Sequence, residues 1–249
     1  MTSSHIRAEH ITVEFPIYNA SHRSLKKAVL RASTGGRVAR DANRHMIVRA
    51  VNDACFEFKP GDRVALMGHN GAGKTTLLRV LSGVYAPVFG TLEVRGAIAS
   101  LLDMSLGMDP EATGYENIFL RGVVMGLRPR EIEEKIDEIA AFSGLGSYLD
   151  MPTRTYSSGM ALRLAFAVST AVQPDILLMD EWLSVGDEAF NKKASDRLNA
   201  LVERSSILVM ASHSPQLVHK VCNRKFVLDQ GIVTEVPMDR PGMPTLSPR

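Results

Sequence analysis

Gly68-His69-Asn70-Gly71-Ala72-Gly73-Lys74-Thr75-Thr76 fits the pattern G-x-x-x-x-G-K-[ST], a set of residue types suited to chemistry on phosphate. Gly71 and Gly73 let the backbone approach phosphate oxygens with its N–H groups turned inward, and a helix N-terminus adds partial positive charge. Lys74 has the reach for β- and γ-phosphates, and the Thr75 hydroxyl can ligate Mg2+. Before the motif stands Arg63-Val64-Ala65-Leu66-Met67, a short apolar run after the turn Pro60-Gly61-Asp62. After it, Leu77-Leu78-Arg79-Val80-Leu81 reads as the opening of a helix. Strand, glycine-rich loop and helix imply a nucleoside triphosphate site over Gly68 to Thr76. A bare glycine-rich turn is the alternative, and the complete motif in its context argues against it.

Ile176-Leu177-Leu178-Met179-Asp180-Glu181 is an apolar strand ending in two carboxylates. Asp180 can hold the hydration shell of Mg2+, and Glu181 can orient and polarise an attacking water. Phosphoryl transfer asks mainly for such positioning and charge neutralisation. Ala211-Ser212-His213-Ser214 follows another apolar strand, Ile207-Leu208-Val209-Met210. At the carboxyl edge of a parallel sheet, His213 can reach a γ-phosphate.

Tyr156-Ser157-Ser158-Gly159-Met160 precedes a helix and lies upstream of Glu181. This layout resembles the ATP-binding cassette (ABC) superfamily, whose Leu-Ser-Gly-Gly-Gln-like pentad occupies this place. Ser157 and Gly159 fit, while Ser158 and Met160 replace Gly and Gln. The resemblance implies an α/β P-loop NTPase core with a mainly parallel sheet, an antiparallel β edge and a helical subdomain. It also implies a homodimer in which Ser157, Ser158 and Gly159 face the ATP bound to the second copy. The chain further resembles the subgroup that exports lipid-linked polysaccharide such as O-antigen, capsule or teichoic acid. The residues carrying that likeness are Tyr156 to Met160 with Arg163-Leu164-Ala165-Phe166, Thr113 to Ile118, and Val185-Gly186-Asp187 followed by Phe190, together with an insertion like residues 16–45. The resemblance implies a separate membrane permease that moves the glycan, and a peripheral place on the cytoplasmic face of the cytoplasmic membrane. A cassette for another exported substrate, or a soluble non-transport ABC protein, is the alternative.

The chain departs from the family in places. No Gln stands between the glycine-rich core and the helical subdomain, and Asp103, within Leu101 to Gly107, is the nearest polar stand-in for a metal contact. Trp182-Leu183 replaces the usual Pro-Thr after Glu181. Family members stack adenine on an aromatic residue at the end of the first strand. Phe15 and Tyr18 are both candidates here, and Phe15 could equally be core.

The elements that must position these groups follow from periodicity. Ile6 to Phe15 alternates as a strand with Ile11, Val13 and Phe15 on one face, Met46 to Phe58 resumes it, and Thr91 to Asp103 reads as a strand pair broken at Gly96. Ser24 to Arg31 could form a short amphipathic helix. Pro129 opens a helix with Ile132, Ile136 and Ile139 on one face, ended by Gly144 and Gly146. The helix after Gly159 carries Leu162, Ala165, Phe166 and Ser169 as its expected buried stripe. Strand 175–180, helix 190–202, strand 206–211, helix 215–222 and two short strands, 225–228 and 232–236, complete an alternation that implies a sheet covered on both faces. A single nucleotide-binding domain over 1–236 is expected, with a core at about 1–111 and 164–236 and a helical subdomain at about 112–163. The Pro-rich 237–249 reads as a disordered tail.

Bulk composition bounds the rest. A formal charge of +2 over 249 residues excludes a nucleic-acid binder by composition. Eight cations against one acid between Arg23 and Arg49 nevertheless form a basic run, read as a surface for anionic headgroups or as a solvated loop. Cys55 and Cys222 form no disulfide framework or metal-ligand spacing, which implies a reducing compartment. No apolar run approaches the ~18 residues of a membrane span.

Overall fold

The computed structural model describes residues 4–17, 38–40, 46–181 and 188–238. In chain order the strands and helices begin with β1 (His5–Ile17), β2 (Val38–Arg40), β3 (Met46–Phe58), β4 (Arg63–Met67), α1 (Lys74–Leu81) and β5 (Phe89–Arg95). Next come β6 (Ile98–Ser100), α2 (Gly114–Val124), α3 (Pro129–Glu133), α4 (Ile136–Ser143) and α5 (Ser158–Ser169). The chain continues with β7 (Ile176–Asp180), α6 (Glu188–Arg204), β8 (Ile207–Ala211), α7 (Pro215–Val221), β9 (Arg224–Asp229) and β10 (Ile232–Val236). These fall into two units. The first comprises Met1–Gly96, Met179–Glu181 and Ser206–Arg249, and the second Ala97–Leu178 and Trp182–Ser205.

In the first unit β1 pairs antiparallel with β3 and β5, and β2 extends the sheet to the order β2-β3-β1-β5. Ile6, Ala8, Ile11 and Val13 are all buried although Ala8 and Ile11 are three apart. A bulge supplies the missing phase: the register shifts between Ala8 and Ile11, and His10 and Asp53 take left-handed backbone at φ 53° and 51°. Without it, the second half of the strand would turn its apolar residues to solvent. In the same unit β4 runs parallel to both β8 and β9, and β10 closes antiparallel on β9. β8 is buried at every position and β4 through its centre, as parallel strands covered on both faces are.

In the second unit β6 lies parallel to β7. The helices pack around Ile118, Ile132, Ile139, Leu145, Leu149, Leu164 and Val168. Each such side chain contributes roughly 1.5–3 kcal/mol on burial. The expected helical stretch 112–163 lies within this unit.

Four local readings change. The strand pair around Gly96 is two strands that do not pair with each other: β5 joins β1, whereas β6 joins β7. The helix opened by Pro129 is two, α3 and α4, broken at Glu134 and Lys135. Ile132 and Ile139 are buried, while Ile136 is only half-buried at the rim of the cluster. On α5 the stripe is wider than read: Leu164 to Ser169 are all buried and Leu162 is half-buried, because the C-terminal half of this helix is enclosed on every side. Helix α2 covers Thr113 to Ile118 from its N-cap onward, a stretch that the sequence marks as a motif without marking a helix. Ser24 to Arg31, and the tail from Asp239, lie outside the described residues.

Candidate functional site

Strand β4 delivers the chain to Gly68, and α1 begins at Lys74 after the left-handed Gly73, φ 105°. Two glycines are dictated by close approach. A Cβ at Gly68 would lie 2.3 Å from the Leu228 carbonyl oxygen, and one at Gly73 would lie 2.4 Å from that of Ala50. Gly71, φ 75°, has nothing within 4 Å and sits exposed at the loop tip with His69 and Asn70. Ala72 is buried and closes the turn through its N–H on the His69 carbonyl, 3.0 Å. The Lys74 ammonium donates to the carbonyls of Gly68 (2.8 Å) and His69 (3.2 Å), so the loop curls around this cation. Burial pushes the Lys74 amine below its ordinary range, and Asp180 and Glu181 partly offset that shift. Thr76 is half-buried in the first turn of α1.

The expected acidic pair is placed on this loop. The Thr75 hydroxyl donates to Asp180 Oδ2 at 2.5 Å. Glu181 follows the end of β7, is exposed, and has φ 69°. A non-glycine residue there is strained by roughly 1–3 kcal/mol, a cost that concentrates at functional positions. Its N–H donates to the Ala211 carbonyl at 2.9 Å, which ties it to the end of β8. His213 is exposed two residues beyond that carbonyl. Lys74, Thr75, Asp180 and Glu181 are thus brought together, with His213 just past the strand end that holds Glu181.

Phe15 is half-buried and meets Tyr85 edge to face, with ring centroids 5.2 Å apart. Tyr85 was not read from the sequence, where nothing in its loop marks it. Tyr18 lies outside the described residues. So do Trp182 to Asp187 and six of the eight cations of the basic run. Arg49 departs from the solvated or headgroup-facing readings, since its Nε donates to Glu14 at 2.6 Å within the sheet.

In the second unit, Ser157 caps α5, its hydroxyl accepting the Met160 N–H at 3.2 Å. Ser157 and Ser158 are exposed, and a Cβ on Gly159 would meet nothing nearer than Ser157 Oγ at 3.9 Å. Intrachain packing does not require that glycine. Tyr156 donates to the Tyr148 carbonyl at 2.7 Å, and its hydroxyl occupies the space a Cβ at Gly114 would need. Asp103 is exposed in the turn after β6. Arg121, buried on α2, was also missed, although its i+3 spacing from Ile118 places it on the buried stripe.

The ABC transporter family model matches residues 51–184. The O-antigen export system ATP-binding protein RfbE of Yersinia enterocolitica is 44% identical over 231 residues, 93% of this chain and 97% of that protein. The O-antigen export system ATP-binding protein RfbB of Klebsiella pneumoniae is 36% identical over 93% of this chain and 92% of its own length. Teichoic acids export ATP-binding protein TagH of Bacillus anthracis is 38% identical over 92% of this chain, which spans 40% of that protein. Among solved structures, a dimeric ATP-binding cassette in a post-hydrolysis state bound to ADP and Pi has the same fold. Its TM-score is 0.66 at 18% identity, covering 94% of this chain and 99% of that one. The chain belongs to the ABC transporter ATP-binding family and is an ABC-type ATPase.

Proposed function

We propose that this chain is the ATP-hydrolysing subunit of an exporter of lipid-linked polysaccharide, O-antigen or a similar glycan, across the cytoplasmic membrane. The observation that carries the reading is the 44% identity over 97% of an O-antigen export ATP-binding protein. Two copies clamp ATP, and a permease on a separate chain carries the glycan. The chain sits at the cytoplasmic face of the membrane; no helix among the described residues is long and apolar enough to cross one.

Within the site, Gly68 to Thr76 cradle the triphosphate with backbone N–H groups, and Lys74 exchanges its loop carbonyls for β- and γ-phosphate oxygens. The donors fit Mg2+: one hydroxyl and one carboxylate, oxygen only, already 2.5 Å apart, leaving the remaining positions to water and phosphate. When bound there, Mg2+ neutralises charge developing on the phosphate oxygens. Thr75 and Asp180 would hold it, and Asp103 takes the role of the family's Gln. Glu181 orients the attacking water and His213 steadies the γ-phosphate. Ser157, Ser158 and Gly159 close over the nucleotide of the second copy, which accounts for a glycine that packing within the chain does not require. The adenine ring stacks near the end of β1, where Phe15 and Tyr85 offer aromatic faces. A nucleotide-binding core at 1–111 and 164–236 with a helical subdomain at 112–163 completes this reading.

The test is complementation in the source bacterium. Deleting the gene should trap completed lipid-linked glycan at the cytoplasmic face, the intact gene should restore export, and Glu181→Gln should not. Normal surface glycan in the deletion strain would assign the ATPase to a different cargo.

A further inference from the structure

Arg121 is a cation enclosed in the second unit at 3% exposure, and nothing in the ATPase chemistry above uses it. Lys and Arg are almost never buried this deeply without a pairing role. Its contacts define what it holds. Nε and Nη2 both donate to Ser169 Oγ, at 3.0 and 2.9 Å, and Nη1 donates to the Leu106 carbonyl. Ser169 in turn donates its hydroxyl proton to the Ala165 carbonyl at 2.6 Å, so its oxygen is free to accept both guanidinium N–H groups.

Leu106 belongs to a tight turn: its N–H donates to the Asp103 carbonyl at 3.1 Å, and the Met108 N–H donates to Ser105 at 3.2 Å. Gly107 presses this turn onto α2, where a Cβ would lie 2.7 Å from Val124. The acidic charge acting on Arg121 is Asp103; burial nonetheless pushes the guanidinium down to about 10. One side chain therefore connects the last turn of α5, the last turn of α2 and the turn that carries Asp103. The first turn of α5 carries Ser157 and Gly159.

We propose that Arg121 is a positioning residue that locks the Asp103–Gly107 turn to α5, so that the Asp103 carboxylate and the Ser157–Gly159 loop are presented as one rigid piece. This rests on the ATPase reading of Asp103 and Ser157 above. Lysine retains the charge and reaches one acceptor, but it lacks the fork that grips Ser169 twice.

The experiment measures ATP hydrolysis and amide hydrogen exchange for wild type, Arg121→Lys, Ser169→Ala, Asp103→Asn and the Arg121→Lys/Asp103→Asn pair. Arg121→Lys and Ser169→Ala should speed exchange at Met104–Met108 while α3 and α4 keep their protection. Both should lower kcat about tenfold with KM for ATP nearly unchanged. Because Arg121 acts through Asp103, the double variant should be no slower than Asp103→Asn alone, a coupling that independent effects would not give. Multiplying effects, wild-type kcat in Arg121→Lys, or unchanged exchange at Met104–Met108 would overturn the proposal. Should Arg121→Lys not fold, Ser169→Ala alone and paired with Asp103→Asn decides by the same criteria. Glu181→Gln runs alongside: hydrolysis indifferent to it would refute the site reading on which the kcat comparison rests, while the exchange readout would still test the Arg121 tie.

Discussion

The glycines of the phosphate loop are held for different physical reasons, and alanine separates them. At Gly73 a Cβ meets the Ala50 carbonyl at 2.4 Å with φ 105°, so Gly73→Ala should lose stability in chemical denaturation. The loss should be about 1–3 kcal/mol or more. Gly71 faces open space at φ 75°. Gly71→Ala should therefore cost only about 1–2 kcal/mol of backbone strain yet weaken ATP binding more than tenfold, because the methyl group lies where phosphate must approach. Equal ATP affinity in Gly71→Ala and wild type would remove the loop from the phosphate site. Lys74 to Thr76, Asp180 and Glu181 were legible in the sequence because the strand–loop–helix frame fixes where such residues stand. Phe15 was not, since an aromatic residue that packs on Tyr85 and one that stacks on a base read alike.

Elements were legible where one period governed a long segment. Helix α5 and strands β7 and β8 followed directly from their apolar runs. The break between α3 and α4 did not, because Ile132, Ile136 and Ile139 fit an unbroken helix and only the packing shows Ile136 left at the rim. Helix α2 announces its start in a form that went unread. The Thr113 hydroxyl accepts the Glu116 N–H at 3.2 Å, and the Glu116 carboxylate accepts the Thr113 N–H at 2.7 Å, a reciprocal cap. Thr113→Ala should cost about 1 kcal/mol. The Thr113 backbone N–H and hydroxyl hold the Glu116 carboxyl below its ordinary range. A depressed carboxylate stabilises the fold fully above its unfolded pKa and loses that contribution as pH falls through the folded value. The Thr113→Ala penalty should therefore shrink in acid, as read by melts at neutral and acidic pH. A penalty unchanged with pH would separate the cap from Glu116.

For the whole molecule, exposure sorts the two thiols. Cys55 is exposed, whereas Cys222 is buried, with its thiol pushed up to about 12. Iodoacetamide at neutral pH should alkylate Cys55 alone in the folded chain and both after denaturation, since only the thiolate reacts. Rapid labelling of Cys222 in the native protein would show that β9 and the preceding turn open readily. At the same scale lies the proposed completion of the site by a second copy, which the likeness of Tyr156–Met160 to the family's pentad implies. Ser157 and Ser158 are exposed in the second unit, Gly159 beside them is half-buried, and a Cβ on that glycine would meet nothing nearer than Ser157 Oγ at 3.9 Å, so packing within the chain leaves room for a second copy to dock there. The most direct measurement is sedimentation of wild type and Glu181→Gln with and without ATP, with turnover followed in the same samples. Glu181→Gln should hydrolyse ATP at least a hundredfold more slowly than wild type and accumulate as an ATP-bound dimer. A Glu181→Gln chain that stays monomeric at saturating ATP, or one that turns over ATP near the wild-type rate, would contradict the account.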